Sequence, residues 1–149
     1  DKVLAPLGAD VSGSRYLDPD GMFPNHVPNP EDMYAMECGS RATVEAGLVS
    51  IPGALTPTEI AQAHRFGADF VKVFPANRMG PGYIKDVAAP LSHVRMLAVG
   101  GVDGNTVRDY LSAGAVGAGV ASCLFKKDWV KNGEWDRITQ ASLDFTALL

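Results

Sequence analysis

The sequence predicts an α/β chain built as a partial (half) TIM-type (β/α)8 barrel, preceded by a foreign, loop-rich N-terminal segment. Three observations predict it. Strand-like and helix-like stretches alternate from Leu48 to Leu149, and glycine-marked turns separate them. A single lysine, Lys72, interrupts an otherwise apolar strand. Alternation of this kind makes a parallel sheet with crossover helices, and such barrels carry their sites at the C-terminal ends of the strands.

The first strand is read over Leu48–Leu55. Thr56-Pro57-Thr58-Glu59 then opens a helix with a hydroxyl cap, proline at the first helical position and a glutamate closing a capping box. Ile60, Ala63, His64 and Phe66 follow at helical spacing, and Gly67 ends the helix. Asp69-Phe70-Val71-Lys72-Val73-Phe74-Pro75 is short, apolar and rich in β-branched and aromatic residues, which reads as a buried strand. A short helix over Pro81–Val87, a third strand over Val94–Val99, a helix over Asn105–Ala113 and a fourth strand over Ala115–Ala121 complete the series. The last helix is expected from Gly133 to the C-terminus, with Trp135, Ile138, Leu143 and Leu148 as core contacts.

Strands of a parallel sheet are covered on both faces and tolerate few charges. An ammonium group buried there has its pKa lowered, and a partly neutral lysine can attack a carbonyl and form a Schiff base. The alternative is a lysine near the strand end that reaches solvent. Two further strand ends carry suggestive residues. Gly100-Gly101 would expose backbone N–H groups to an anion, and Ala121-Ser122-Cys123 is expected to precede a short helix whose N-terminus favours a phosphate.

These residues resemble a known family. Ile51-Pro52-Gly53-Ala54-Leu55-Thr56-Pro57-Thr58-Glu59, Phe70-Val71-Lys72-Val73-Phe74-Pro75-Ala76, Gly82-Tyr83-Ile84-Lys85, Ala98-Val99-Gly100-Gly101-Val102 and Gly117-Ala118-Gly119-Val120-Ala121-Ser122 occur in one order. Residues 48–149 are similar to the C-terminal half of the 2-keto-3-deoxy-6-phosphogluconate aldolases, also described as 4-hydroxy-2-oxoglutarate aldolases. The resemblance implies a cytoplasmic carbon–carbon lyase in which Lys72 is the Schiff-base lysine and Phe74 packs beside the pyruvyl group. It also implies that the Gly100-Gly101 amides and the Ala121-Ser122 turn hold the substrate phosphate. The implied substrate is a keto acid or phosphorylated keto sugar acid, with no cofactor and a homo-oligomeric (trimeric) assembly. Two positions depart from the pattern: Val99 stands where threonine is common, except in a galactonate-type branch, and Ala121 stands where glycine is usual.

Residues 1–47 do not continue that family. A whole aldolase would carry four more βα units before Leu48, with a Glu-x-Thr-x-Arg motif supplying an acid/base and a carboxylate-holding arginine. That motif is missing here. Instead Val3–Asp10 leads to Leu17–Glu31, whose Pro24-Asn25-His26-Val27-Pro28-Asn29-Pro30 run resembles a loop of the α-D-phosphohexomutases. Their metal-binding and phosphoserine loops do not occur in the chain. The expected organisation is a phosphohexomutase-like fragment over 1–47, loosely packed or extended, joined to an aldolase half over 48–149. An inactive fusion or an isomerase remnant is the alternative.

Composition narrows the function class a little further. The net charge is −4, which argues against nucleic-acid or anionic-membrane partners. No apolar run approaches the roughly 20 residues of a spanning helix. Cys38 and Cys123 fit reduced thiols. His26, His64 and His93 are scattered, so a metal site is not expected. Asp18–Pro30 reads as a loop dense in Pro, Asp, Asn and Gly, without a calcium-loop pattern.

Overall fold

The computed structural model describes the backbone of residues 30–149 and the side chains of residues 37–149. Four strands form one parallel sheet in chain order, β1 (Gly53–Ala54), β2 (Val71–Val73), β3 (Met96–Val99) and β4 (Gly117–Gly119). Helices α2 (Pro57–Arg65), α3 (Ala76–Ala88) and α4 (Val107–Ser112) connect them, after α1 (Pro30–Glu45) and before α5 (Lys127–Lys131) and α6 (Trp135–Thr146). This is a partial barrel wall.

The core lies on one face of that sheet. Val71, Val73, Met96 and Ala98 are buried there against Ile60 and Ala63 of α2, Ile84 and Val87 of α3, and Val107 and Tyr110 of α4. Side chains alternate faces along a strand. Lys72 and Leu97, which stand opposite each other in register, therefore project from the other face. Both are half-buried. Lys72 is thus not sandwiched between two apolar layers as its sequence context suggested, because the helices of the described region cover only the face of its neighbours.

The first strand is shorter than expected. Leu48, Val49 and Ile51 are exposed, and Pro52 has no N–H to give a ladder. The pairing nonetheless starts early: Ser50 C=O accepts from Asp69 and Phe70 N–H, and Ser50 N–H donates to the Asp69 carboxylate at 2.8 Å. Helix α2 has the capping box that its sequence spells, with Thr56 Oγ1 accepting from Glu59 N–H. The third helix begins earlier than Pro81, but Gly80 (φ 76°, ψ 170°) breaks it, so Pro81 heads a second helical stretch.

Three expectations are corrected. Residues 30–45 are neither loop nor extended but form α1, with Ser40 buried and Leu48 N–H bonded to Thr43 C=O. Of the four core contacts expected in the last helix, Ile138 is buried and Leu148 half-buried, whereas Trp135 and Leu143 are exposed (61% and 60%). Phe145 packs against the core instead. Finally, residues 122–124 form a turn closed by Leu124 and Phe125 N–H on Ala121 C=O, and helix starts only at Lys127. No helix N-terminus therefore stands at Ser122. The Asp18–Asn29 loop and His26 lie outside the described residues.

Candidate active site

The C-terminal ends of β2 and β3 bring four of the six sequence-selected residues together. Lys72 lies in the middle of β2, and its Nζ is 5.0 Å from the centroid of the Phe74 ring. Phe74 is partly exposed (40%) at the strand end, where its N–H still pairs with Ala54 C=O. Its ring then reaches the glycine pair. A Cβ on Gly100 would sit 2.8 Å from ring atoms Cδ2 and Cε2. Gly100 (φ 96°) and Gly101 (φ 70°) both have left-handed backbones that a side chain would strain.

Ala121 and Ser122 lie in the turn after β4 and are exposed. They sit beyond the neighbouring strand end, so the site spans β2, β3 and β4 along the same edge. The departure at Val99 has a packing consequence: a Cβ on Gly119 would lie 2.9 Å from Val99 Cγ2, so valine fills the space beside a glycine.

Asn77 was not singled out by its sequence context. Its backbone N–H donates to Gly100 C=O at 3.0 Å, and its side chain fills the space that a Cβ on Gly101 would need. The available signal was position alone, since Asn77 stands two residues after Pro75.

Glu59 is the carboxylate at the turn between β1 and α2. Its Oε2 accepts from Leu55 N–H at 2.9 Å and from Thr56 N–H at 2.6 Å. That use of the carboxylate is structural. The Tyr83 hydroxyl donates to Leu55 C=O in the same turn. Burial, and secondarily the Glu59 charge, push the Tyr83 phenol above its ordinary pKa.

Among the described residues no three His, Cys, Asp or Glu side chains gather as a metal site, and no helix is long and apolar enough to cross a membrane. His64 and His93, distant in sequence, meet edge to face with ring centroids 5.0 Å apart, on an exposed surface. Cys38 and Cys123 are free thiols.

The chain is similar to known aldolases. The sequence is 39% identical over 87 residues to the 2-dehydro-3-deoxy-6-phosphogalactonate aldolase of Escherichia coli K12, covering 58% of this chain and 42% of that protein. It is 33% identical over 101 residues to the KHG/KDPG aldolase of the same organism, covering 67% of this chain and 47% of that protein. The chain thus spans about half the length of these curated relatives. A solved structure described as native KDPGal superposes with a TM-score of 0.59 at 29% identity, covering 81% of this chain and 68% of that one. A sequence model described as "Aldolase: KDPG and KHG aldolase" matches residues 38–141, and the chain belongs to the KDPG and KHG aldolase family.

Proposed function

We propose that the chain carries the imine-forming half of a class I aldolase acting on 2-keto-3-deoxy-6-phospho sugar acids or 4-hydroxy-2-oxoglutarate. The observation that carries this reading is Lys72, projecting from the sheet face opposite the helices beside the Phe74 ring and the glycine pair. The Lys72 amine adds to the C2 carbonyl, and loss of water leaves an iminium. Cleavage of the C3–C4 bond sends its electron pair into that iminium, giving an enamine and an aldehyde such as glyceraldehyde 3-phosphate or glyoxylate. Protonation at C3 and hydrolysis then release pyruvate and restore the amine. The iminium is the electron sink, so the bond cleavage draws on no cofactor. Phe74 walls the pyruvyl group, while Gly100, Gly101 and the Ala121-Ser122 turn bind the anionic tail.

A base must take the C4 hydroxyl proton. Glu59 is committed to its capping box, so we expect imine formation with impaired turnover. We further assign residues 1–47 to a phosphohexomutase-like segment with no chemistry of its own, joined to the aldolase half over 48–149. The protein is read as cytoplasmic and homo-oligomeric, trimeric like the family.

Incubation with pyruvate and borohydride tests the reading. A reduced pyruvyl adduct at Lys72, lost in Lys72→Ala, is the expected result. Absence of the adduct from the unsubstituted chain would defeat it. Turnover near the 10 s⁻¹ or so of an ordinary enzyme would reveal a working base and overturn the impairment.

A further inference from the structure

The turn after β2 and the first turn of α3 clasp the glycine pair after β3 at two points. The Phe74 ring occupies the Cβ space of Gly100, and the Asn77 side chain occupies that of Gly101, with Nδ2 the nearest atom. The Asn77 N–H to Gly100 C=O bond fixes the two loops to each other. Asn77 is exposed, so this contact with Gly101 does not enclose its amide. An amide NH₂ group offers two donors without a charge. It lies against the backbone to which the proposed function assigns the substrate phosphate.

We propose that Asn77 is a specificity-determining residue for the anionic end of the substrate, its side-chain amide donating to a phosphoryl group held at Gly100-Gly101. This rests on the aldolase reading for the identity of the substrate. It adds a side-chain donor beside the glycine-pair backbone, and it sets that donor in the first turn of α3, three residues after Phe74. The single β2–α3 junction would then serve both the imine end and the phosphate end of the substrate.

The test uses the full chain and inorganic phosphate as the probe, with binding followed by ³¹P line broadening and folding checked by thermal melts. A donor to an ionised group is worth more than a neutral pair, so Asn77→Ala should weaken phosphate binding about tenfold. Asn77→Leu, which keeps bulk over Gly101 but has no donor, should weaken it as much. Asn77→Asp, of equal size but acceptor-only and anionic, should weaken it further. Wild-type affinity in Asn77→Leu would reduce the residue to packing and overturn the proposal, as would wild-type affinity in all three. An unsubstituted chain that forms the pyruvate adduct but binds no phosphate would also overturn it. An Asn77-dependent phosphate site in a chain that forms no adduct would support the donor and defeat the aldolase reading.

Discussion

Glu59 and Tyr83 hold one turn from two helices: the Glu59 carboxylate accepts the Leu55 and Thr56 N–H groups, and the Tyr83 hydroxyl donates to the Leu55 carbonyl. The turn joins β1, an edge strand of only two residues, to α2. So short a strand offers little ladder of its own, and these side chains anchor it. Tyr83→Phe should cost about 0.5–1.5 kcal/mol, the net worth of a hydrogen bond. Thr56→Ala, removing the other half of the capping box, should cost about 1 kcal/mol. Urea midpoints would check both, and a neutral Tyr83→Phe would mean that solvent replaces the bond at no loss.

The same residues predict an alkaline weakness. Burial first and the Glu59 charge second raise the Tyr83 pKa in the folded chain. The unfolded chain then loses this proton first as pH rises. By linkage, the contribution is complete below the ordinary phenol pKa near 10 and is lost as pH climbs from there through the raised folded value. Stability should therefore fall above pH 10 more steeply in the parent than in Tyr83→Phe. Equal slopes for the two chains between pH 9 and 11 would contradict the assignment.

A third prediction concerns Gly100. Alanine there meets three penalties, a positive φ of 96°, a Cβ 2.8 Å from the Phe74 ring and the same Cβ 3.2 Å from Pro75 Cα. The backbone cost alone is about 1–3 kcal/mol. In a Phe74→Ala background the ring clash is gone but the φ and the 3.2 Å approach to Pro75 Cα remain, so Gly100→Ala should cost measurably less there without becoming neutral. A double-mutant cycle by urea unfolding reads the difference directly, and strict additivity would show that the ring yields freely.

Much of this architecture was legible because the strongest signals are local. Thr56-Pro57-Thr58-Glu59 specifies a helix start by hydrogen-bond chemistry alone, and Gly67 and Gly114 close helices with positive φ as their positions suggest. Lys72 stands out as a charge inside an apolar strand and the glycine pair as a turn at a strand's end, whereas Phe74 enters through the family resemblance. What stayed hidden depends on tertiary contacts. Trp135 and Leu143 share a helix with Ile138, and nothing in their spacing says which of them is buried. Asn77 is likewise unremarkable until Gly101 arrives from another βα unit. Helix α1 was missed for a different reason. Asn29-Pro30-Glu31-Asp32 is a cap-type residue, a first-turn proline and two acids in order, but it follows a proline-rich stretch whose composition is that of a loop.

The contrast within α6 gives a fourth prediction. Ile138 is 8% exposed, whereas Trp135 is 61% exposed. Truncating a buried isoleucine typically costs about 2–5 kcal/mol, with the lower end expected at the chain's periphery. Surface changes usually stay within about 0.5 kcal/mol. Ile138→Ala should thus lower the thermal midpoint clearly and Trp135→Ala should leave it nearly unmoved. The reverse order would mean that Trp135 is covered in solution, by another copy or another segment.

The last prediction separates packing from chemistry at Phe74. Its ring is partly exposed, stands 5.0 Å from Lys72 Nζ and fills the space beside Gly100. A pyruvyl group on Lys72 would lie against that ring, removing about one methyl of apolar surface from water, worth about 0.8 kcal/mol. Phe74→Ala should therefore reduce the borohydride-trapped adduct at limiting pyruvate by about fourfold, on the scale where about 1.4 kcal/mol is tenfold. Phe74→Tyr keeps the ring and should retain most of the adduct. The loss should appear in the pyruvate concentration needed for half-maximal trapping, while the yield at saturating pyruvate stays close to the parent's. A fall in saturating yield with an unchanged half-point would place Phe74 in the bond-forming step instead of at the wall of the site.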